Sequence, residues 1–279
     1  MKTNKFLQAL LFCLMLIGAQ SFAQDAYTLE YKFAKGKTYL YSSVSTSNMT
    51  QEMGGQEMKF WQEGHFTLRT LIEDVKNGNI VFVVSADSAV SSSKSPMRDT
   101  TMVLTQLIGK RIKITLSKSG DVVGREVIDS VIMSAQMRGG AQRELLTFLT
   151  LPVKPVKTGE KWDATKIDTV DQMGGKIVNS SQFEFTLAGK EKKLGHDCLK
   201  IPFTAKTTTN GNMKMQGMEL FVEGGGKISG TLYFDSGMGL PVLVESLTDT
   251  ETTMAATGQQ QMTVPISSSQ KSTTTLIRE

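Results

Sequence analysis

The sequence predicts a mainly β protein of the α+β kind: a long curved antiparallel sheet, or two similar β units, with two or three short helices packed on the concave face. Three observations predict it. Apolar and polar residues alternate at period two over most of the chain. Turn-forming pairs rich in Gly and Asn punctuate the runs. One stretch, residues 127–135, switches to helical spacing.

The first 23 residues stand apart. Lys2 and Lys5 precede an apolar run over residues 6–19, broken only by Gln8, and Ser21-Phe22-Ala23 places small residues at the −3 and −1 positions of a cleavage site. This is the pattern of a secretory signal peptide, and the mature chain is expected to start at Gln24. Cleavage before a lipid-bearing Cys13 is disfavoured because Phe12 stands where a small side chain is needed. An uncleaved anchor is disfavoured because the run is shorter than the ~20 residues that span a bilayer. No later segment is apolar enough to cross a membrane as a helix, so a periplasmic or secreted location without a membrane span is expected.

Of 279 residues, 256 remain after that cut. The formal net charge of +4 includes Lys2 and Lys5, and the remaining cations are scattered among acids. A nucleic-acid binder needs a concentrated basic face, so that partner class is excluded. Cys198 alone survives cleavage, so no internal disulfide is available, and it reads as a half-buried small hydrophobe.

The strands follow in order. Ile80 to Val84 is apolar on both faces and reads as a central, well-covered strand. Ile112, Ile114 and Leu116 alternate with Arg111, Lys113 and Thr115; Phe183, Phe185 and Leu187 do so with Gln182, Glu184 and Thr186. Leu199, Ile201, Phe203 and Ala205 form another such run, and Ile228, Leu232 and Phe234 a further one. Pro202 lacks an N–H, which places its strand at an edge or a bulge. Turns are expected at Gly54-Gly55, Asn77-Gly78, Ser119-Gly120, Gly174-Gly175, Asn210-Gly211 and Asp235-Ser236-Gly237.

Val127, Ile128, Val131, Ile132 and Ala135 share one helical stripe, ended by Gly139-Gly140. Residues 141–149 read as a second short helix and residues 101–108 as a third. Their apolar faces need the sheet as a partner. A weak repeat is also visible. Lys35-Gly36-Lys37-Thr38-Tyr39 is echoed by Thr158-Gly159-Glu160-Lys161-Trp162, and the Gly54-Gly55 turn by Gly174-Gly175. The repeat suggests two units, residues 24–152 and 153–279, after the leader at 1–23.

Catalytic groupings are scarce. His65 and His196 are the two histidines, and both read as exposed surface residues. Asp197 adjoins His196, but neighbouring strand residues point to opposite faces. Ser91-x-x-Lys94 with Lys157-Thr158-Gly159 imitates two penicillin-binding motifs, yet its Ser lies in a Ser-rich loop and the third motif is absent. Gly224-Gly225-Gly226-Lys227 lacks the upstream Gly of a phosphate loop. No enzyme and no cofactor is expected. The chain has 16 Met, and Met213, Met215 and Met218 offer soft thioethers that suit Cu(I), against the plainer use of Met as a filler of irregular apolar space.

Three phrases carry a resemblance: Tyr31-Lys32-Phe33-Ala34-Lys35-Gly36-Lys37-Thr38-Tyr39, the connector from Leu151-Pro152 to Trp162, and Tyr233-Phe234-Asp235 with Gly239 after it. Together they resemble a family of uncharacterised exported (periplasmic) β-rich proteins of Gram-negative bacteria, a domain of unknown function. The resemblance implies no activity and transfers no site residue. Its architecture is similar to the curved sheets of periplasmic lipoprotein carriers, whose helices plug the concave face; that is analogy of fold only.

The expected function is therefore a non-catalytic periplasmic binding protein for an apolar ligand or polypeptide segment. Val127, Ile128, Val131, Ile132 and Ala135 would line its cleft. The alternative is a structural or assembly factor of the envelope that contacts a protein partner through a strand edge near Pro202 or the Thr-rich C-terminus. Met-based copper binding is the minor alternative.

Overall fold

The structure, a computed structural model, describes residues 25–129, 148–172, 174–215, 218–256 and 262–278. Among them there are fifteen strands and no helix. In chain order they are β1 (Ala26–Tyr27), β2 (Thr38–Met53), β3 (Gln56–Lys76), β4 (Asn79–Lys94), β5 (Asp99–Val103), β6 (Arg111–Ser117), β7 (Val122–Val127), β8 (Val156–Lys157), β9 (Lys161–Gln172), β10 (Gly175–Thr186), β11 (Gly189–Lys193), β12 (His196–Met215), β13 (Met218–Asp235), β14 (Leu240–Ala256) and β15 (Met262–Arg278).

One antiparallel sheet of 13 strands takes the order β7-β6-β4-β3-β2-β15-β14-β13-β12-β10-β9, with β5 beside β4 and β11 beside β12; β1 and β8 pair separately. Both halves of the chain meet inside this sheet, through the β15–β2 ladder. Several strands are long. β3 has 21 residues, about 70 Å at the usual rise per residue. Turn chemistry sets their ends: Asn77 and Gly78 both take positive φ (53° and 79°), the geometry of a tight hairpin turn between β3 and β4.

The repeat seen in the sequence has a structural counterpart. Gly36 N–H donates to Ile72 O (2.9 Å) and Ile72 N–H to Lys37 O (3.0 Å). Gly159 N–H donates to Leu187 O (2.7 Å) and Leu187 N–H to Glu160 O (3.0 Å). The ladders beyond start alike, with Thr38 opposite Leu71 and Lys161 opposite Thr186. By this match β9 corresponds to β2 and β10 to β3.

The core occupies one face at one end of the sheet. Tyr31 meets Phe234 of β13 edge-on (5.6 Å), while Phe33, two residues on, lies against Phe82 of β4 (6.3 Å). Those two strands are separated by β3, β2, β15 and β14. One short segment touches both, so the sheet must curl around it. The filling is completed by Phe148, Leu149 and Leu151, all buried, with Phe148 against Tyr31 and Phe82. Gly120 and Gly239 leave the room this needs. A Cβ on Gly120 would strike Leu149 O and the Tyr31 ring, and one on Gly239 the Cβ, Cγ and backbone N of Lys32.

Farther along the same face, side chains turn small and polar. Ser47 meets Ser268 (3.3 Å), Ser246 meets Ser272 (2.8 Å) and Thr274 donates to Ser43 (3.3 Å), a hydroxyl ladder across β2, β15 and β14. A second, smaller apolar cluster of Ile177, Met213, Leu220, Val222 and Ala256 closes the far end.

Several expectations are corrected. The fold is not α+β: no helix packs on the concave face among the described residues, and the chain's own segments around Tyr31 and Phe148, outside any strand, fill it. The analogy to lipoprotein carriers, which rested on such helices, loses its basis. Val127 is the last residue of β7, paired with Ile112, and the Ile128 and Asp129 amides both donate to Arg111 O (3.1 and 3.3 Å). The two apolar neighbours that suggested a helix are thus a strand end held to β6. Val131, Ile132 and Ala135 lie outside the described residues, as do residues 141–147. Phe148 and Leu149 beyond them belong to no helix. In the region expected as a third helix, β5 runs to Val103 and a turn follows in which Leu107 N–H donates to Leu104 O (2.9 Å).

Pro202 is not at an edge of the sheet. It pairs with Thr231 of β13, and on its other side the β10 ladder stops at Phe203 while β11 begins at Lys200. The missing N–H falls in that gap between partners, which satisfies the same constraint. The Thr-rich C-terminus is likewise interior, since β15 pairs with both β14 and β2.

Candidate functional site: the open edge and the charged face

Among the described residues the edges of the sheet are β7 and β9. β7 is short, six residues, and a register shift interrupts its ladder with β6. β9 has 12 residues and pairs with β10 without a shift from Lys161↔Thr186 to Gln172↔Gly175. It contains no Pro. A hairpin closed so tightly begins with a hydrogen-bonded pair, after which bonded and non-bonded pairs alternate. The even-numbered residues of β9 therefore bond to β10. Thr165, Ile167 and Thr169 turn their amides and carbonyls to the open side, where no strand pairs with them among the described residues.

Side chains along β9 divide by face. Trp162 stacks on Phe185 (5.3 Å) and donates from Nε1 to Thr150 O (3.1 Å), anchoring the strand to the core. Lys166 shares that face. It is half-buried and donates from Nζ to Phe148 O. Burial pushes its ammonium down to about 8, with partial compensation from Asp121. On the opposite face Ile167 is 70% exposed, an unusual state for a strand isoleucine.

That opposite face is charged and troughed. One depression of about 980 Å³ crosses five strands and is lined by Lys206, Lys227, Asp249, Glu251 and several Ser and Thr. A neighbouring one of about 670 Å³ includes Glu52, Glu57, Glu223 and Glu251. Among the described residues no cluster of His, Cys, Asp or Glu has the arrangement of a metal site.

The residues singled out in the sequence fall as follows. Val127 (52% exposed) ends β7 and Ile128 (36%) follows it, while Val131, Ile132 and Ala135, expected with them along a cleft, lie outside the described residues. Met213 is buried in the small distal cluster, opposite Leu220. The backbone of Met215 pairs with that of Met218 across the β12–β13 hairpin. Met213 is used in packing.

His65 is exposed beside Glu63 (3.1 Å). His196 is not a plain surface residue. It is half-buried, and its Nδ1 lies 3.2 Å from Asp235 Oδ2, a carboxylate that also accepts from the Gly237 and Met238 amides (both 2.9 Å). The sequence missed this pair because it joins residues 39 apart across two strands. Cys198 is fully buried. Burial, with Asp235, Asp197 and Glu191 around it, pushes its thiol up to about 11, so the thiolate a nucleophile needs is suppressed.

No helix among the described residues is long and apolar enough to cross a membrane. No family model and no curated protein matches the chain. Similar solved structures include an outer membrane channel from Pseudomonas putida F1, at TM-score 0.32 and 8% identity over 88% of this chain and 98% of that one. OpdQ of Pseudomonas aeruginosa follows at 0.29 and 7%, over 87% and 100%. The translocator domain of the autotransporter NalP from Neisseria meningitidis gives 0.20 and 8%, over 96% and 94%. The likeness is one of antiparallel β structure, and at these scores it carries nothing about role.

Proposed function

We propose that this chain is a non-catalytic, exported protein of the cell envelope that works as a structural or assembly factor, taking a protein strand onto the edge of its sheet at β9. The single observation that carries the reading is the 12-residue ladder of β9, open on one side among the described residues and free of bulge and Pro. Native sheets usually cover or break such an edge. The internal match sharpens the point: β2 corresponds to β9, and the side of β2 equivalent to the open side of β9 is filled by β15. The apolar-ligand reading loses support because Tyr31, Phe33 and Phe148 already fill the apolar concavity.

A photo-cross-linker placed at Ile167 in cells tests this. A protein adduct is expected at Ile167 and is expected to vanish in Thr165→Pro, which removes an outward N–H and leaves the bonds to β10 intact. A cross-linker at exposed Leu247 of interior β14 serves as control. No adduct at Ile167, or equal adducts at both sites, overturns the reading.

A further inference from the structure

We propose that the partner strand on β9 is β9 of a second copy of this chain, antiparallel and centred on Ile167, so that two sheets join into one. The inference rests on the strand-edge reading and names its occupant. Residues 164–170 read Ala-Thr-Lys-Ile-Asp-Thr-Val. In an antiparallel pair centred on Ile167, Ile167 faces its own copy, Lys166 faces Asp168, Thr165 faces Thr169 and Ala164 faces Val170. Every cross-strand pair is then apolar with apolar, hydroxyl with hydroxyl, or cation with anion, which are the pairings that stabilise a ladder. Centring one residue either way sets Lys166 against Lys166, or Asp168 against Asp168, and cross-strand like charges are destabilising. The register is thus specified by charge as well as by side-chain type.

Two further features fit. Lys166 donates to Phe148 O, and among the described residues no carboxylate is in contact with it. Asp121 acts on Lys166 only at longer range, and Asp168 of the second copy would stand directly opposite as a closer anion. Ile167, exposed in one copy, would be covered by its equivalent. The complementary stretch ends where Asp163 would face Asp171, which limits the ladder to seven residues. So short an interface gives a weak, concentration-dependent dimer.

Cysteine cross-linking of the purified full chain tests the register. With Cys13 replaced by Ser, the one other cysteine is Cys198, which is buried with its thiol suppressed, so an introduced cysteine reacts alone. Directly opposite residues in a bonded pair lie about 5.5 Å apart at Cα, within disulfide reach. Ile167→Cys is expected to form a covalent dimer on oxidation. Thr165→Cys and Thr169→Cys are each expected to stay monomeric alone and to cross-link when mixed. Ile167→Pro should raise the dissociation constant measured by sedimentation at least tenfold and leave the thermal midpoint within a few degrees. Equal cross-linking by all three single variants, or a wild-type monomer at every concentration, overturns self-pairing. If the cellular adduct at Ile167 persists with another protein's mass, self-pairing falls and the strand-edge reading stands; if no adduct forms, both fall.

Discussion

Tyr31→Ala is expected to cost about 4–6 kcal/mol, combining the loss of a large buried aromatic with an orphaned backbone acceptor. Tyr31 is 2% exposed and touches Phe33, Phe148 and Phe234. Its hydroxyl donates to Leu149 O (2.9 Å), and burial pushes its pKa upward, so the phenol stays neutral and keeps donating through the alkaline range. The side chain ties together a non-sheet segment, the segment around Phe148 and β13, and neighbours cannot collapse into the space because the sheet fixes them. Tyr31→Phe keeps the ring and should cost about 1–2 kcal/mol, the share of the hydrogen bond and its acceptor. Urea denaturation of both variants separates the two parts. An apolar dye adds a second readout, since wild type should take up little and Tyr31→Ala should gain a site.

Lys166→Met is expected to do the reverse and stabilise the isolated chain at neutral pH. The folded pKa of Lys166, about 8, lies below its ordinary value of 10.5, because burial disfavours the charged form. Below pH 8 both states are protonated and the folded state bears the cost of a desolvated ammonium. Between pH 8 and 10.5 the unfolded state holds more protons than the folded one, so stability rises with pH in that window. The full shift corresponds to about 3 kcal/mol, from which about 1 kcal/mol is subtracted for the lost bond to Phe148 O. Thermal melts across pH 6–11 should show Lys166→Met more stable at pH 7 by about 1–2 kcal/mol, with the advantage gone above pH 10.5. A Lys166→Met variant less stable at pH 7 would contradict this. In the dimer the sign changes, because the partner of Asp168 is removed.

The strands were legible wherever one face is buried and the other wet. Leu199, Ile201, Phe203 and Ala205 all face the core, and the turn at Asn77-Gly78 lies where its φ preferences put it. The turn between β11 and β12 was not legible, because Leu194 takes positive φ (52°), a conformation its side chain disfavours. Strand order was hidden because β15 and β2 come from opposite ends of the chain, and local pattern says nothing of such pairing. Pro202 misled because a missing N–H suits a change of partner as well as an edge. Tyr31 and Phe33 stood out only as part of a familiar phrase; their place in the core follows from curvature, which alternation does not encode. The β9 edge was written in the sequence as a near-palindrome around Ile167, yet its meaning required knowing that among the described residues no strand lies beside it.

Amide hydrogen exchange along β9 tests the central claim most directly. In dilute solution, below self-association, the amides of Thr165, Ile167 and Thr169 are expected to exchange rapidly, while those of Lys166, Asp168 and Val170 are slow. The fast set should become protected as concentration rises. Uniform protection along β9 at every dilution would mean that the chain already covers this edge itself, and would contradict the account.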